Sequence, residues 1–159
     1  MKDHTEREPV IAVIGAGKCS KQLCDMAADI GRYVAENGGV ILCGGLGGIM
    51  EGAARGAKEA GGTTIGIIPS ENKADANEFI DYVIPSGFGE ARNVLIIRAA
   101  DAIVALPGKY GTLSEMAFAL ISNKPIVSVQ AWKLGEEIQQ FDDPIEAARI
   151  ALELARKRN

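Results

Sequence analysis

The chain has 159 residues, about one domain, and that length buries a core without metal or disulfide staples. With 47% hydrophobic and 24% charged residues it has the balance of a globular fold, while its 19 glycines exceed the average usage of about 7%. A net charge of −4 with no dense Lys/Arg block argues against a nucleic-acid surface, and no apolar run approaches the ~20 residues that span a bilayer.

Residues 1–9, MKDHTEREP, are polar and hold no apolar stretch of the signal-peptide kind; a flexible leader, a single domain over 10–159 and a cytoplasmic location are expected. A first apolar strand over 10–15 ends in Gly15, Ala16, Gly17 and Lys18. The helix expected over 20–36 sets Leu23, Ala27, Ile30 and Val34 on one buried stripe, and Asn37, Gly38 and Gly39 stop it. A strand over 40–43 runs into Gly44, Gly45, Leu46, Gly47 and Gly48, and a helix over 48–60 ends at Gly61 and Gly62. Strands over 64–68 and 82–84 bracket the polar stretch 70–78, which reads equally as a lid over a ligand and as a solvated loop. A helix over 91–100 carries Arg92 in its first turn, and Asp101, a structural residue, opens a strand over 102–106. Pro107 to Glu115 then lead into a helix over 113–122. A strand over 126–129 and Trp132 precede a last helix over 144–157, with Asp143 as N-cap and Pro144 at the first helical position.

Strands apolar on both faces and joined by helices specify an α/β fold: a single Rossmann-like, doubly wound, mostly parallel sheet with helices on both faces. Ligands of such sheets lie beyond the carboxyl ends of the strands, near the point where strand order reverses. Gly15 and Gly17 follow the first strand, Gly44, Gly45, Gly47 and Gly48 the second, and Gly108 and Gly111 the fifth, so all three clusters open on one edge. That convergence predicts a shared phosphate or nucleotide crevice. Ordinary NAD binding is disfavoured, because Gly44 and Gly45 stand where an acidic ribose ligand belongs, and Lys18 fits no P-loop frame.

The segment Pro107, Gly108, Lys109, Tyr110, Gly111, Thr112, Leu113, Ser114, Glu115 joins a buried strand to a helix whose first amides lack internal partners and carry partial positive charge. Glycines there let a phosphate approach the backbone. Thr112 and Glu115 also spell a capping box, and the segment alone leaves both readings open. The only histidine, His4, lies in the leader, so histidine metal sites and triads are not expected; any catalysis falls to carboxylates, lysine, arginine or backbone. Cys19, Cys24 and Cys43, odd in number and without CxxC spacing, fit a reducing compartment better than a disulfide framework.

Taken together, Gly44-Gly45-Leu46-Gly47-Gly48-Ile49-Met50, then Ile65-Gly66-Ile67-Ile68-Pro69, Arg92-Asn93 and Pro107 to Glu115 resemble the superfamily of LOG ("Lonely Guy") phosphoribohydrolases, often labelled lysine decarboxylase-like. Within it the chain is more similar to the molybdenum cofactor carrier proteins. The last segment looks like the signature PGGxGTxxE, with Lys109 at the second glycine, and Arg92-Asn93 stands where LOG enzymes carry Arg-Lys.

The resemblance implies phosphate binding by Gly108, Gly111 and Thr112, and a chemical role for Arg92 and Glu115 if the protein is an enzyme. Gly15, Gly17, Lys18, Gly44, Gly45, Gly47, Met50, Asn93, Pro107 and Lys109 complete the expected ligand site. The implied ligand is a nucleoside monophosphate or the pterin phosphate of molybdenum cofactor, with no metal and no cofactor required; the alternative is hydrolysis of a nucleoside 5′-monophosphate to free base and ribose 5-phosphate. Decarboxylation has no support. Helices apolar nearly all round, over 91–100 and 113–121, together with the habit of similar proteins, predict a homodimer or larger homo-oligomer.

Overall fold

A computed structural model of the chain describes residues 7–158; the leader expected over 1–9, His4 included, lies outside the described residues as far as residue 6. Strands β1 (Val10–Ile14), β2 (Val40–Cys43), β3 (Thr64–Ile68), β4 (Tyr82–Pro85), β5 (Ala102–Ala105), β6 (Ile126–Val129) and β7 (Gln139–Phe141) form one sheet in the order β4-β3-β2-β1-β5-β6-β7. Every neighbouring pair is parallel, with Ile11 opposite Ile41 on one side and Ala102 on the other. The helices are α1 (Lys21–Glu36), α2 (Ile49–Glu59), α3 (Asn93–Ala99), α4 (Tyr110–Ile121) and α5 (Pro144–Arg158).

Side chains alternate across each strand, so one sheet produces two cores. Ile11, Val13, Val104 and Val127 pack against α1, α2 and α5, while Ala12, Ile14, Ile103 and Ala105 pack against α3 and α4. The chain winds outward from β1 to β4, then returns to lay β5 beside β1. The reversal therefore falls between β1 and β5, and their carboxyl ends part there to leave a crevice. Asp101 closes the far end of this pair: its carboxylate accepts the Val10 amide at 2.8 Å, and its amide donates to the Val10 carbonyl at 2.8 Å.

Three features of the secondary structure differ from the sequence reading. Gln139–Phe141 is a seventh strand; it lacks an apolar run and is a strand only because β6 offers it an open edge. Helix α4 starts at Tyr110, because the Leu113 amide already donates to the Lys109 carbonyl at 3.0 Å, so Thr112 and Glu115 lie inside the helix and form no capping box. Arg92 ends a 3₁₀ turn, Gly89–Arg92, that precedes α3. The stretch 70–78 contains a short 3₁₀ turn, Lys73–Asp75, and is pinned by Asn77, whose amide donates to the Gly45 carbonyl at 2.9 Å and whose side chain donates to that of Leu46 at 2.8 Å.

Cys19 and Cys24 form a disulfide, a correction to the reading of three free thiols; only Cys43 is free, and it is buried. Cys19 precedes the N-cap Ser20 and Cys24 lies one turn into α1, which brings their Cα atoms to 5.9 Å despite a spacing outside the CxxC pattern. Denatured but unreduced protein is expected to titrate one thiol with Ellman's reagent, and reduction to lower stability by about 2 kcal/mol, the loop-closure entropy of so short a ring. Three titrated thiols before reduction would refute the pairing.

Candidate functional site

A cavity of about 420 Å³ opens at the switch between β1 and β5. Its walls come from the turn after β1 (Gly15, Ala16, Gly17, Lys18), from Leu46 and Met50 after β2, from Glu90, Arg92 and Asn93, and from the start of α4 with Lys109, Gly111, Thr112 and Glu115. The turns touch each other: the Ala16 amide donates to the Pro107 carbonyl at 2.9 Å, and the Ile49 amide donates to the Ala16 carbonyl at 2.9 Å.

Arg92 is only 5% exposed and its guanidinium is committed to the protein. Nε donates to the Ile67 carbonyl at 2.8 Å, one terminal nitrogen to the Asn93 side-chain oxygen, and the other to the Gly44 carbonyl at 3.4 Å. It is a fixed cation in the crevice floor, tying the ends of β2 and β3 to α3. Gly44 makes room for it, since a Cβ there would stand 2.8 Å from the Arg92 terminal nitrogen and 2.6 Å from the Met50 sulfur. Asn93 passes the connection on, its side-chain nitrogen donating to the Ser114 hydroxyl on α4 at 3.3 Å.

Glu115 is 8% exposed, faces the cavity and makes no hydrogen bond with any described residue. Burial pushes its carboxyl up to about 8; the Arg92 charge opposes that displacement and the Glu90 carboxylate adds to it. At neutral pH the side chain is mostly the neutral acid, able to donate a hydrogen bond or a proton. The buried Cys43 thiol is pushed up to about 12 by burial. Helix α4, with Lys109 at its N-cap position, has no side-chain cap, so its first amides face the crevice unblocked.

The model of the SLOG cluster4 family matches residues 8–155. The chain belongs to that family. The molybdenum cofactor binding protein of Rippkaea orientalis superposes with a TM-score of 0.86 at 32% identity, over 91% of this chain and 96% of that one. A cytokinin riboside 5′-monophosphate phosphoribohydrolase of Mycobacterium tuberculosis is 30% identical over 77% of this chain and 71% of its own length. An uncharacterized protein of Archaeoglobus fulgidus is 40% identical over 89% of this chain and 93% of its own. The likeness to the LOG superfamily and its cofactor-carrier branch, read from the motifs, thus holds at the level of family and fold.

In this SLOG chain the crevice brings together ten of the residues singled out in the sequence, drawn from all three glycine-bearing turns. Five others stand outside its lining: Gly44, Gly45, Gly47, Pro107 and Gly108. Gly44 lies behind the Arg92 guanidinium, and a Cβ on Gly108 would sit 2.0 Å from the Thr112 hydroxyl, so both admit a neighbour instead of facing the cavity. Pro107 and Gly108 border a smaller cavity of about 210 Å³ with Trp132. Trp132 also reaches the lip of the main crevice, donating to the Lys109 carbonyl at 3.2 Å and stacking on Tyr110 with ring centroids 6.5 Å apart. Sequence reasoning passed over Ala16, Leu46 and Glu90. Glu90 carried a signal, a carboxylate two residues before Arg92 on the edge where the glycines converge.

Among the described residues no group of three or more His, Cys, Asp or Glu is arranged to hold a metal ion. No helix among them is long and apolar enough to cross a membrane.

Proposed function

We propose that the crevice binds a phosphate-bearing heterocycle, a nucleoside monophosphate or the pterin phosphate of molybdenum cofactor, and that the protein acts as its carrier. The observation that carries this reading is the division of labour among the crevice cations. Arg92 is tied to two backbone carbonyls and Asn93, whereas Lys109 stands beside the uncapped amides of α4 with no carboxylate partner among the described residues. An anion at α4 is then held by backbone and lysine, as phosphate sites at helix starts are. Leu46 and Met50 supply an apolar surface for a planar ring. For molybdenum cofactor as cargo these groups fit the phosphate and the pterin; the metal end would find no thiolate, since Cys43 is fully buried.

The second reading is a phosphoribohydrolase, favoured by the neutral state of Glu115. A buried carboxylic acid can protonate the leaving base as the bond between base and ribose breaks, while water adds its oxygen to the ribose carbon and returns a proton to the carboxylate, giving free base and ribose 5-phosphate. Thermal melts with a panel of nucleoside 5′-monophosphates and with molybdenum cofactor test the first reading: a ligand at a hundred times its Kd stabilises by about 2.7 kcal/mol, and a melting temperature unmoved by all of them would refute it. Chromatography of the same mixtures separates the two. Carriage predicts no free base, whereas release that disappears in Glu115→Gln establishes the hydrolase.

We also propose a homo-oligomer built on helices α3 and α4, where Leu95 is 37% and Ile121 78% exposed. Light scattering is expected to give at least twice the chain mass; a monodisperse monomer would refute it.

A further inference from the structure

Beyond the single phosphate of the reading above, on which this inference rests for the heterocycle alone, we infer that the crevice is built for two adjoining anionic groups, and that its ligand class is diphosphates, nucleoside 5′-diphosphates among them. The first observation is a second ammonium. Lys18 enters the cavity from the turn after β1 and Lys109 from the turn after β5, and neither has a carboxylate within ion-pair distance among the described residues. The Ala16 amide bond to Pro107 holds these turns side by side, so the lysines belong to neighbouring positions and not to distant ends of a groove.

The second observation is the supply of free backbone donors on both turns. The amides of Gly17 and Lys18 have no acceptor among the described residues, and those opening α4 have no side-chain cap. Each lysine thus comes with its own set of amides, and a monophosphate engages only one such set. Glu115, buried, unpaired and facing the same space, is the third sign that something is missing from this cavity.

The charge of the crevice favours an anion of either kind. Lys18, Lys109 and Arg92 contribute three positive charges; Glu90 contributes one negative charge, and Glu115 is mostly neutral near pH 7 because burial opposes its ionisation. An excess of about two positive charges in the crevice of a chain whose net charge is −4 draws phosphate anions to it, and the two separate sets of donors set the number of groups they can hold. A groove of similar size between α1 and α5 is a useful contrast, because its cations are already engaged: Arg149 pairs with Glu146 and Glu153, Lys157 with Glu153, and Arg156 donates to the Asn37 carbonyl.

The test is calorimetric titration of the whole protein with four probes: inorganic phosphate, pyrophosphate, AMP and ADP. The expected result is that pyrophosphate binds at least tenfold more tightly than phosphate, and ADP at least tenfold more tightly than AMP. Lys18→Gln is expected to bring both ratios near one, with Lys73→Gln, a lysine outside the crevice, as the control for net charge. Far-UV circular dichroism checks that the variants are folded. Equal affinity for AMP and ADP overturns the diphosphate site and leaves the phosphate-heterocycle reading intact. Lys18-dependent binding of pyrophosphate without binding of either nucleotide supports the two-anion site and removes the adenine nucleotides from the ligand class. Ratios that survive Lys18→Gln, or absence of binding by all four probes, overturn the inference.

Discussion

The melting temperature is expected to fall steadily as pH rises from 5 to 9, and Glu115→Gln is expected to flatten that fall. The carboxyl of Glu115 has an ordinary value of 4.5 and is pushed up to about 8 by burial in the folded chain. Between those values the native state holds a proton that the unfolded state has released, so stability decreases with rising pH. The contribution is complete below pH 4.5 and is lost as pH passes through 8. At about 1.4 kcal/mol per tenfold change in proton affinity, the whole span is on the order of 5 kcal/mol. The carboxylates with depressed values act elsewhere: Asp25, Glu146 and Glu153, lowered by hydrogen bonds from Lys21, Arg149 and Lys157, lose their contribution only as pH drops below the ordinary carboxylate range. Glutamine keeps the shape of the neutral acid and cannot ionise, so the variant should equal wild type at pH 5 and exceed it at pH 9. Urea unfolding at both pH values reads the effect; parallel curves for the two proteins would show that Glu115 is not buried as described.

The second large effect concerns Arg92. Arg92→Ala is expected to destabilise by about 3 kcal/mol, because it leaves the carbonyls of Ile67 and Gly44 without their donor and opens a void beneath the crevice. It also removes the charge that opposes the upward displacement of Glu115, so the pH midpoint of stability moves higher still. Arg92→Lys keeps the charge but not the planar fork that reaches three acceptors, and should recover less than half of the loss. Denaturant unfolding gives the stability and the pH series gives the coupling. A neutral Arg92→Ala would mean that the guanidinium is a ligand clamp and not a structural post.

Much of the fold could be read in the residues because its signals are local. Apolar runs such as 102–106, stops such as Gly61 and Gly62, and the Asp143-Pro144 start each act over a few positions; the Asp143 carboxylate does accept the Ile145 amide at 3.0 Å. Convergence of three turns on one edge followed from strand-helix alternation, since every parallel strand delivers its following turn to the same side. The seventh strand was not legible, because Gln139–Phe141 is extended only through its partner. Nor was the Cys19–Cys24 pairing, which depends on where α1 begins.

The family likeness was carried by the ordered motifs, and ten of the thirteen crevice residues by those motifs together with the turn after the first strand, since glycines, Arg92-Asn93 and the Thr112-Glu115 spacing stand in the sequence whatever surrounds them. What each residue does was decided by packing. Packing ties the Arg92 guanidinium to the carbonyls of Ile67 and Gly44, places Glu115 inside a helix that starts five residues before it, and sets the Thr112 hydroxyl where a Cβ on Gly108 would stand. Hydrogen bonding, burial and ionisation depend on neighbours far apart in the chain, as Arg92 and Gly44 are at 48 residues and Val10 and Asp101 at 91, and only the tertiary structure brings such neighbours together.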